Sequence, residues 1–330
     1  MTTKVSKFLI AAVFGATATT GFAQPKEITV AYFLEWPLPM MAAKAAGTYD
    51  KEMGVKVNWR AFESGSAMSA AMASGDIQIA VSQGIPPLVV AASSGLNIQV
   101  VDIAVSNPES DNCVVSKKLE ITKSSAKELA GKTVAVPLGT AAHYGFLRQM
   151  AHFGVPVSSL KVINMAPTEG AAALAQGSVD FACGFGGGLA RMKEYGNVLL
   201  TGKEKDALGI LVFDVTSATA NFASENQPLL SKFLKVTANA NTQWNTKKDP
   251  AMLKIMAKEA GLDEAAAAKA VAAMVFPSVN EQLSKQWLGG NVKEFMKGVA
   301  DVFLAAGSLK KTLPSYEGVV NTSPLKLVGK

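Results

Sequence analysis

Residues 73–80 (ASGDIQIA) and residues 175–182 (AQGSVDFA) share one layout, and this layout decides the fold. Each stretch predicts the end of a helix, a glycine that closes this helix, and the beginning of a strand. The likeness has two interpretations. It reflects either the common chemistry of a helix-to-strand connection or two lobes of one architecture that face each other, and the sequence leaves both open.

The segments around these two stretches alternate between strand-like and helical patterns. Apolar and β-branched runs predict strands at 27–32, 55–60, 77–81, 98–105, 133–137, 161–165, 179–183 and 210–215. Helical patterns lie at 40–49, 66–74, 88–94, 141–153 and 169–176, and again from 225 onward. Strands that alternate with helices of this length predict βαβ units, and therefore an α/β fold with mainly parallel sheets.

Residues 1–23 have the layout of a secretory signal peptide. Lys4 and Lys7 form a basic region, residues 8–14 form an apolar core, and small residues lead to Ala23. This core is too short to span a bilayer, which needs roughly 20 apolar residues. We therefore expect cleavage after Ala23 and a periplasmic mature protein.

Charge and composition narrow the classes of function. The chain has a net charge of +6, and its lysine pairs at 117–118, 247–248 and 310–311 are scattered. A nucleic-acid-binding surface needs a concentrated basic face, so we expect no nucleic-acid partner. Two histidines and the absence of a paired cysteine motif predict no metal site, and we expect no cofactor and a monomer.

The chain contains two cysteines, Cys113 and Cys183, and each lies in an apolar, strand-like run. Export permits a disulfide between them. Small buried side chains are the more common state of such cysteines, and this is the state that we expect, although the sequence leaves the pairing open.

Several predicted strands end in loops of small polar residues. Ser64, Ser82, Gln83 and Thr140 lie in these loops, each just before a predicted helix. Ligands of open α/β sheets bind beyond the carboxyl ends of strands, and the N-terminus of a helix suits an anion such as a sulfonate. The same residue types are also ordinary helix caps. None of the loops has the dinucleotide-binding or P-loop pattern.

Asp214 lies inside the apolar run 210–215, where an unpaired carboxylate is unfavourable. Its partner is either structural, such as a lysine or backbone N–H groups, or the ammonium group of a ligand. Glu35, in the loop after the first strand, is a second candidate for this ammonium-binding role.

Aromatic residues and one histidine accompany the polar loops. Trp36, Tyr144 and Phe185 are more often core residues, but gathered in one cleft they would wall a ligand or hold a cation. His143 is either a catalytic base or a hydrogen-bonded residue at the beginning of a helix, and we favour the second interpretation. Gly186–Gly188 predict flexible backbone. Without a nucleophile beside His143, we expect no enzyme.

Residues 57–65 (VNWRAFESG), 73–79, 131–137 (GKTVAVP) and 140–144 (TAAHY) resemble the substrate-binding proteins of ABC importers for taurine, and more broadly for nitrate, sulfonate and bicarbonate. The resemblance implies a two-lobed periplasmic-binding-protein fold of type II, with a ligand cleft between the lobes. Lobe I would comprise residues 24–115 and 216–330, and lobe II residues 116–215.

The resemblance also implies a function, which is delivery of taurine or a related small aminosulfonate to an ABC permease in the inner membrane. The amine-binding role falls on Asp214. The other cleft residues that it implies are Ser64, Ser82, Gln83, Thr140, His143 and Tyr144.

Two loops depart from the taurine-type pattern. Residues 33–37 (FLEWP) differ from the first loop expected of these proteins. Residues 184–188 (GFGGG) follow a strand of lobe II, where these proteins tend to have Trp followed by Pro. Both loops lie where their side chains would line the ligand site. The alternatives are therefore a receptor for another small zwitterion or cation, such as a betaine or a guanidino compound, and an enzyme on the same fold.

Overall fold

The computed structural model describes residues 25–329, and the expected signal peptide (1–23) lies outside this range. In the described residues, the strands are β1 (Glu27–Phe33), β2 (Lys56–Phe62), β3 (Ile79–Gly84), β4 (Ile98–Ser106), β5 (Asp111–Ser116), β6 (Thr133–Val136), β7 (Lys161–Asn164), β8 (Phe181–Phe185), β9 (Gly196–Val198) and β10 (Phe213–Thr219).

The α-helices connect and cover these strands. They are α1 (Met40–Ala45), α2 (Thr48–Met53), α3 (Gly65–Ala73), α4 (Ile85–Ser93), α5 (Ala141–Phe153), α6 (Pro167–Gln176), α7 (Gly186–Tyr195), α8 (Gly202–Ala207), α9 (Ala220–Glu225), α10 (Gln227–Lys247), α11 (Pro250–Ala260), α12 (Glu264–Ala272), α13 (Val279–Gln282), α14 (Asn291–Ala305) and α15 (Ser323–Val328). Within residues 25–329, no helix is both long enough and apolar enough to cross a membrane.

The strands form two five-stranded sheets, ordered β2-β1-β3-β10-β4 and β7-β6-β8-β5-β9. The two sheets match strand for strand. β1 is parallel to β2 and β3, as β6 is parallel to β7 and β8. β10 is antiparallel to β3 and β4, as β5 is antiparallel to β8 and β9. Residues 73–80 and 175–182 lead into the equivalent strands β3 and β8, which supports two lobes of one architecture.

Two strands cross from one lobe to the other. β5 follows the first-lobe strands along the chain but pairs in the second sheet, and β10 returns to the first sheet. The chain therefore changes lobes at 107–110 and at 208–212. We propose these segments as the lobe limits, a few residues before the limits expected from the sequence.

The two lobes are also joined through their helices. Phe303 of α14, a helix that packs against α4 of the first lobe, stacks on His143 of α5 with ring centres 5.1 Å apart. The same phenylalanine meets Tyr144 edge to face, at 6.4 Å. His143 and Tyr144 are thereby held in an aromatic cluster that fixes α5, the helix that begins at the edge of the cleft described below.

Cys113 and Cys183 form a disulfide between β5 and β8, with their Cα atoms 3.9 Å apart. The expectation of two separate buried side chains is therefore wrong. The two residues lie directly opposite each other in the antiparallel register of these strands, and this register brings their side chains together. The sequence does not reveal which residues a crossover strand faces, so it left the pairing open.

Gly186–Gly188 begin helix α7, so the expectation of flexible backbone there is also wrong. Close contacts explain Gly188. A Cβ atom on Gly188 would lie 2.6 Å from the Cβ and 2.7 Å from the backbone carbonyl carbon of Pro167, which cannot move aside. Only a residue without a side chain allows this helix to begin so close to its neighbour.

Candidate functional site

A cleft lies between the lobes, at the carboxyl ends of the parallel strands of both sheets. Its volume is about 380 Å³, including the space at its open mouth. The first lobe lines it with Phe33, Trp36, Gly65, Ser82, Gly84, Pro87 and Asp214, and the second lobe with Asp111, Thr140, Ala141 and Phe185. The position is the one expected for ligand sites of open α/β sheets.

Asp214 faces this cleft from β10, opposite Gly84 at the end of β3. Its Oδ2 atom accepts a hydrogen bond of 2.6 Å from Ser82 Oγ. Burial of the carboxyl group raises its pKa to about 7, the Ser82 hydrogen bond opposes this rise, and the charge of Asp111 adds to it. In the described part of the chain, no lysine or arginine forms a salt bridge with Asp214. The structural partner is therefore one hydroxyl group, which leaves the carboxylate electrostatically unbalanced.

Ser82 is held in an unusual backbone conformation to make this contact. Its φ angle is 61°, in the left-handed region that a serine rarely adopts, and the residue is fully buried. Such a conformation costs about 1–3 kcal/mol and persists only where the surrounding structure imposes it. In this conformation the serine hydroxyl donates to Asp214 and orients the carboxylate.

Asp111 is a second carboxylate in the cleft, and the sequence reasoning missed it. It is the first residue of β5 and is 7% exposed. Its Oδ2 atom accepts a hydrogen bond of 3.1 Å from Ser110 Oγ, whereas its Oδ1 atom has no partner among residues 25–329. Burial raises the pKa of Asp111 to about 6, and the nearby Lys205 charge opposes this rise. A charged residue at the start of an apolar run was the signal that could have found it.

Lys205 sits behind Asp111 and is itself buried. Its ammonium group donates to the backbone carbonyl of Pro108, at 2.8 Å, and to the backbone carbonyl of Asp111. These bonds go to the backbone of the segment where the chain enters the second lobe. The lysine therefore anchors this segment and does not form a direct ion pair with the Asp111 carboxylate.

Three aromatic side chains wall the cleft. The ring of Phe33 lies 5.7 Å from that of Trp36 and 5.8 Å from that of Phe185, so the wall continues from the first lobe to the second. Trp36 is 7% exposed, and its indole Nε1 atom has no acceptor within the described residues. The wall thus combines apolar surface with one unused hydrogen-bond donor.

Two helices begin at the cleft, one from each lobe. Ser64 caps α3 by accepting a hydrogen bond of 3.1 Å from the backbone N–H of Ala67, and Thr140 caps α5 by accepting one of 3.4 Å from that of His143. Gly65 and Ala141, the first residues of the two helices, line the cleft. First-turn N–H groups have no acceptor within their own helix, and the positive end of the helix dipole favours an anion there.

Gln83 does not line the cleft, although the resemblance implies this. The residue is fully buried behind Ser82. Its Nε2 atom donates to Gly65 O (3.0 Å) and Ser69 Oγ (2.6 Å), and its Oε1 atom accepts from Ser217 Oγ (2.7 Å). Gln83 therefore connects α3 and β10 to β3, and it positions the beginning of α3 at the cleft.

His143 and Tyr144 also lie behind the cleft wall. His143 Nδ1 accepts a hydrogen bond of 3.2 Å from the backbone N–H of Gly139, and burial lowers the pKa of the imidazole to about 4. Tyr144 Oη accepts one of 2.7 Å from Arg148 Nη1, and its ring meets Phe295 edge to face. Both side chains lie on the face of α5 that packs against α14, so they hold this helix in place rather than contact the cleft.

Glu35 connects the two lobes at the mouth of the cleft. Its Oε2 atom accepts a hydrogen bond of 2.9 Å from the backbone N–H of Gly187, at the start of α7. Its own backbone N–H donates to Ala260 O, at 3.0 Å, and its φ angle is 59°. The carboxylate of Glu35 therefore has a partner in the second lobe, and the geometry does not favour it as the ammonium-binding group.

Two matched lobes, two crossover strands and a cleft between them define the two-lobed periplasmic-binding-protein fold, as the sequence predicts. A solved structure of this kind is the alkanesulfonate-binding protein SsuA from Xanthomonas axonopodis pv. citri bound to MOPS. The two structures superpose over 91% of this chain and 99% of the SsuA chain, with a TM-score of 0.73 and 20% sequence identity.

Residues 37–251 match the NMT1/THI5 like family, and the chain belongs to this family. It is 32% identical over 227 residues to the taurine-binding periplasmic protein of Escherichia coli (strain K12), which covers 69% of each chain. It is 24% identical over 235 residues to a putative aliphatic sulfonates-binding protein of Bacillus subtilis (strain 168), which covers 69% of this chain and 68% of the relative. The resemblance seen in the sequence is therefore confirmed.

Proposed function

We propose that this chain is a periplasmic solute-binding protein that delivers taurine, or a closely related small aminosulfonate, to an ABC permease in the inner membrane. The observation that carries this proposal is Asp214, a desolvated carboxylate in the cleft whose hydrogen-bond donor is the single hydroxyl of Ser82. A ligand ammonium would supply the missing positive charge.

The cleft also offers a surface that is complementary to the opposite, anionic end of the ligand. The helices α3 and α5 begin at the cleft with Gly65 and Ala141, and their N-termini suit a sulfonate group. A zwitterion with a short linker would place its ammonium at Asp214 and its sulfonate at these helix ends. Because α3 and α5 belong to different lobes, such a ligand would favour the closed arrangement of the lobes.

The location and partners follow from the same proposal. Residues 1–23 have the signal-peptide pattern, and the E. coli relative is a periplasmic protein by name. We propose that the mature protein begins at Gln24 and acts as a monomer in the periplasm.

A receptor for a different small cation is the second candidate, and the aromatic wall formed by Phe33, Trp36 and Phe185 favours it. An enzyme on this fold is disfavoured. Both cysteines are consumed by the disulfide, and His143 is buried with its Nδ1 atom already bonded. The described cleft thus offers neither a thiol nor an imidazole, and we propose that the protein has no enzymatic role.

Calorimetry tests the proposed function. The mature chain is unfolded, stripped of any carried ligand and refolded, and it is then titrated with taurine, other sulfonates, betaines and guanidino compounds. We expect micromolar or tighter binding of taurine. Preferred binding of a betaine would replace taurine by the second candidate, and no binding by any member of the panel would contradict the proposed function.

A further inference from the structure

Two residues that line the cleft each have a buried polar atom without a hydrogen-bond partner within residues 25–329. These atoms are the Nε1 atom of Trp36, which is a donor, and the Oδ1 atom of Asp111, which is an acceptor. Both side chains are 7% exposed, and both line the same cleft. A buried polar atom without a partner costs about 1–3 kcal/mol. The pair therefore indicates a ligand that brings one acceptor and at least one donor into this space.

The two acidic residues of the cleft occupy equivalent places in the two lobes. Asp111 begins the crossover strand β5 opposite Phe185, the last residue of β8. Asp214 is near the start of the crossover strand β10 opposite Gly84, the last residue of β3. The two carboxylates are close enough that the charge of Asp111 raises the pKa of Asp214. One cleft thus receives one carboxylate from each lobe.

We propose that Asp111 and Asp214 form a two-carboxylate clamp that selects a primary ammonium group, and that the indole N–H of Trp36 donates to an anionic oxygen of the same ligand. This inference rests on the proposed function and names the part of the ligand that decides specificity. Asp111 and Trp36 are then ligand-contacting residues in addition to Asp214.

Hydrogen-bond capacity explains the selection of a primary ammonium. This group has three N–H donors, enough to reach a carboxylate in each lobe. A quaternary ammonium has none, so it would leave the Asp111 oxygen desolvated and unpaired. The aromatic wall then excludes water from the clamp and strengthens its charge-assisted bonds, and it does not act as a cage for a quaternary cation.

A methylation series tests the clamp. Taurine and its N-methyl, N,N-dimethyl and N,N,N-trimethyl derivatives keep the sulfonate and remove N–H donors one at a time. For the wild-type protein we expect the dissociation constant to rise along the series, with a loss of about 30-fold or more for the trimethyl compound.

Three variants assign the effect to residues. Asp111→Asn should lose about tenfold in taurine affinity and little for the trimethyl derivative, so that the series becomes flatter. Trp36→Phe keeps an aromatic ring and removes the donor, so it should lose about fivefold for every member of the series. Asp301→Asn, which removes an exposed carboxylate on α14, is the matched control and should match the wild type.

The outcomes separate this inference from the proposed function. No binding by any member of the calorimetric panel contradicts the proposed function, and the clamp that rests on it falls with it. Taurine binding with an unchanged affinity in Asp111→Asn contradicts the clamp alone. Equal or tighter wild-type binding of the trimethyl compound also overturns the clamp, and this result needs no variant to fold.

Discussion

The crossover strands β10 and β5 occupy the same place in the two sheets, but the two lobes fix them by different means. In the first lobe, hydrogen bonds hold β10 against β3, with Ser217 bonded to Gln83 and Asp214 bonded to Ser82. In the second lobe, the disulfide between Cys113 and Cys183 holds β5 against β8. Equivalent positions of one architecture thus carry a polar network in one lobe and a covalent bond in the other.

The two sheets also differ in the length of their strands. Strands β6 and β7 have four residues each and β9 has three, whereas β1 and β2 have seven and β4 has nine. A smaller sheet buries less apolar surface and therefore gains more from a covalent cross-link. The cross-link also lies two residues from Asp111 on β5 and two residues from Phe185 on β8, so it holds both cleft residues in register.

The largest expected effect is the loss of the disulfide. Replacement of Cys113 and Cys183 by alanine opens a loop between residues that are 70 apart in sequence, and it should lower the free energy of unfolding by about 2–4 kcal/mol. Urea denaturation measures this loss, and hydrogen exchange should show it mainly in β5 and β8. The matched change in the first lobe, Ser217→Ala, should cost about 1 kcal/mol. Equal losses in the two variants would contradict the inference that the disulfide stabilises its lobe more than the hydrogen bond stabilises the other.

The second effect concerns the ligand. Asp214→Asn should weaken taurine binding by about 1.5–3 kcal/mol, since one charge-assisted bond to the ammonium is lost. Calorimetry at pH 8 measures the change, and Asp301→Asn provides the control for the loss of one negative charge. An unchanged dissociation constant would remove Asp214 from the ligand contacts.

The third effect is a pH dependence of the unliganded protein. The pKa of Asp214 is raised from 3.8 to about 7 in the fold, so its neutral form stabilises the protein at pH 4 and this contribution is lost as the pH rises through 7. Asp214→Asn should therefore gain about 1–2 kcal/mol of stability relative to the wild type between pH 4 and pH 8. We expect less than the full linkage value because Asp214 faces the cleft, where water reduces the cost of the charged form. If the denaturation midpoints of Asp214→Asn and the wild type differ by the same amount at pH 4 and at pH 8, the raised pKa of Asp214 is contradicted.

The smallest effect concerns the contact between the lobes. Glu35→Ala removes the hydrogen bond to Gly187 and should shift the unliganded protein toward the open form by about 0.5–1.5 kcal/mol. Small-angle scattering would record this shift as a larger radius of gyration. Glu35→Gln keeps an acceptor at the same place, so its scattering should stay closer to that of the wild type.

Much of the fold was predictable from the sequence. The helix-to-strand patterns place β1, β3 and β8 within a few residues of their observed bounds, because local periodicity and glycine positions determine them. β10 was predicted at 210–215 and is found at Phe213–Thr219. Ile210 and Val212 are buried and Leu211 is half-buried near Tyr144 and Lys205 at the lobe junction. This tertiary environment does not appear in a local pattern.

The candidate site was predictable only in part, for physical reasons that particular residues illustrate. Ser82 and Thr140 lie near a strand end and at a helix cap, and local patterns place them there. Asp214 was predictable as a carboxylate in an apolar run, but it lies near the start of β10, a strand whose bounds the local pattern misplaced. Asp111 depends on the crossing of β5 into the second sheet, which no local pattern encodes. His143 and Tyr144 were placed in the cleft by resemblance, but the rotation of α5 about its axis directs them into the aromatic cluster with Phe303.

The central claim is that the cleft binds a zwitterion whose ammonium group is held by Asp214. The most direct test is calorimetric titration of the refolded wild-type protein with taurine and with isethionate, which has a hydroxyl group in place of the ammonium. The account predicts micromolar or tighter binding of taurine and binding of isethionate that is weaker by about 50-fold. Equal affinities for the two compounds, or tighter binding of isethionate, would contradict it.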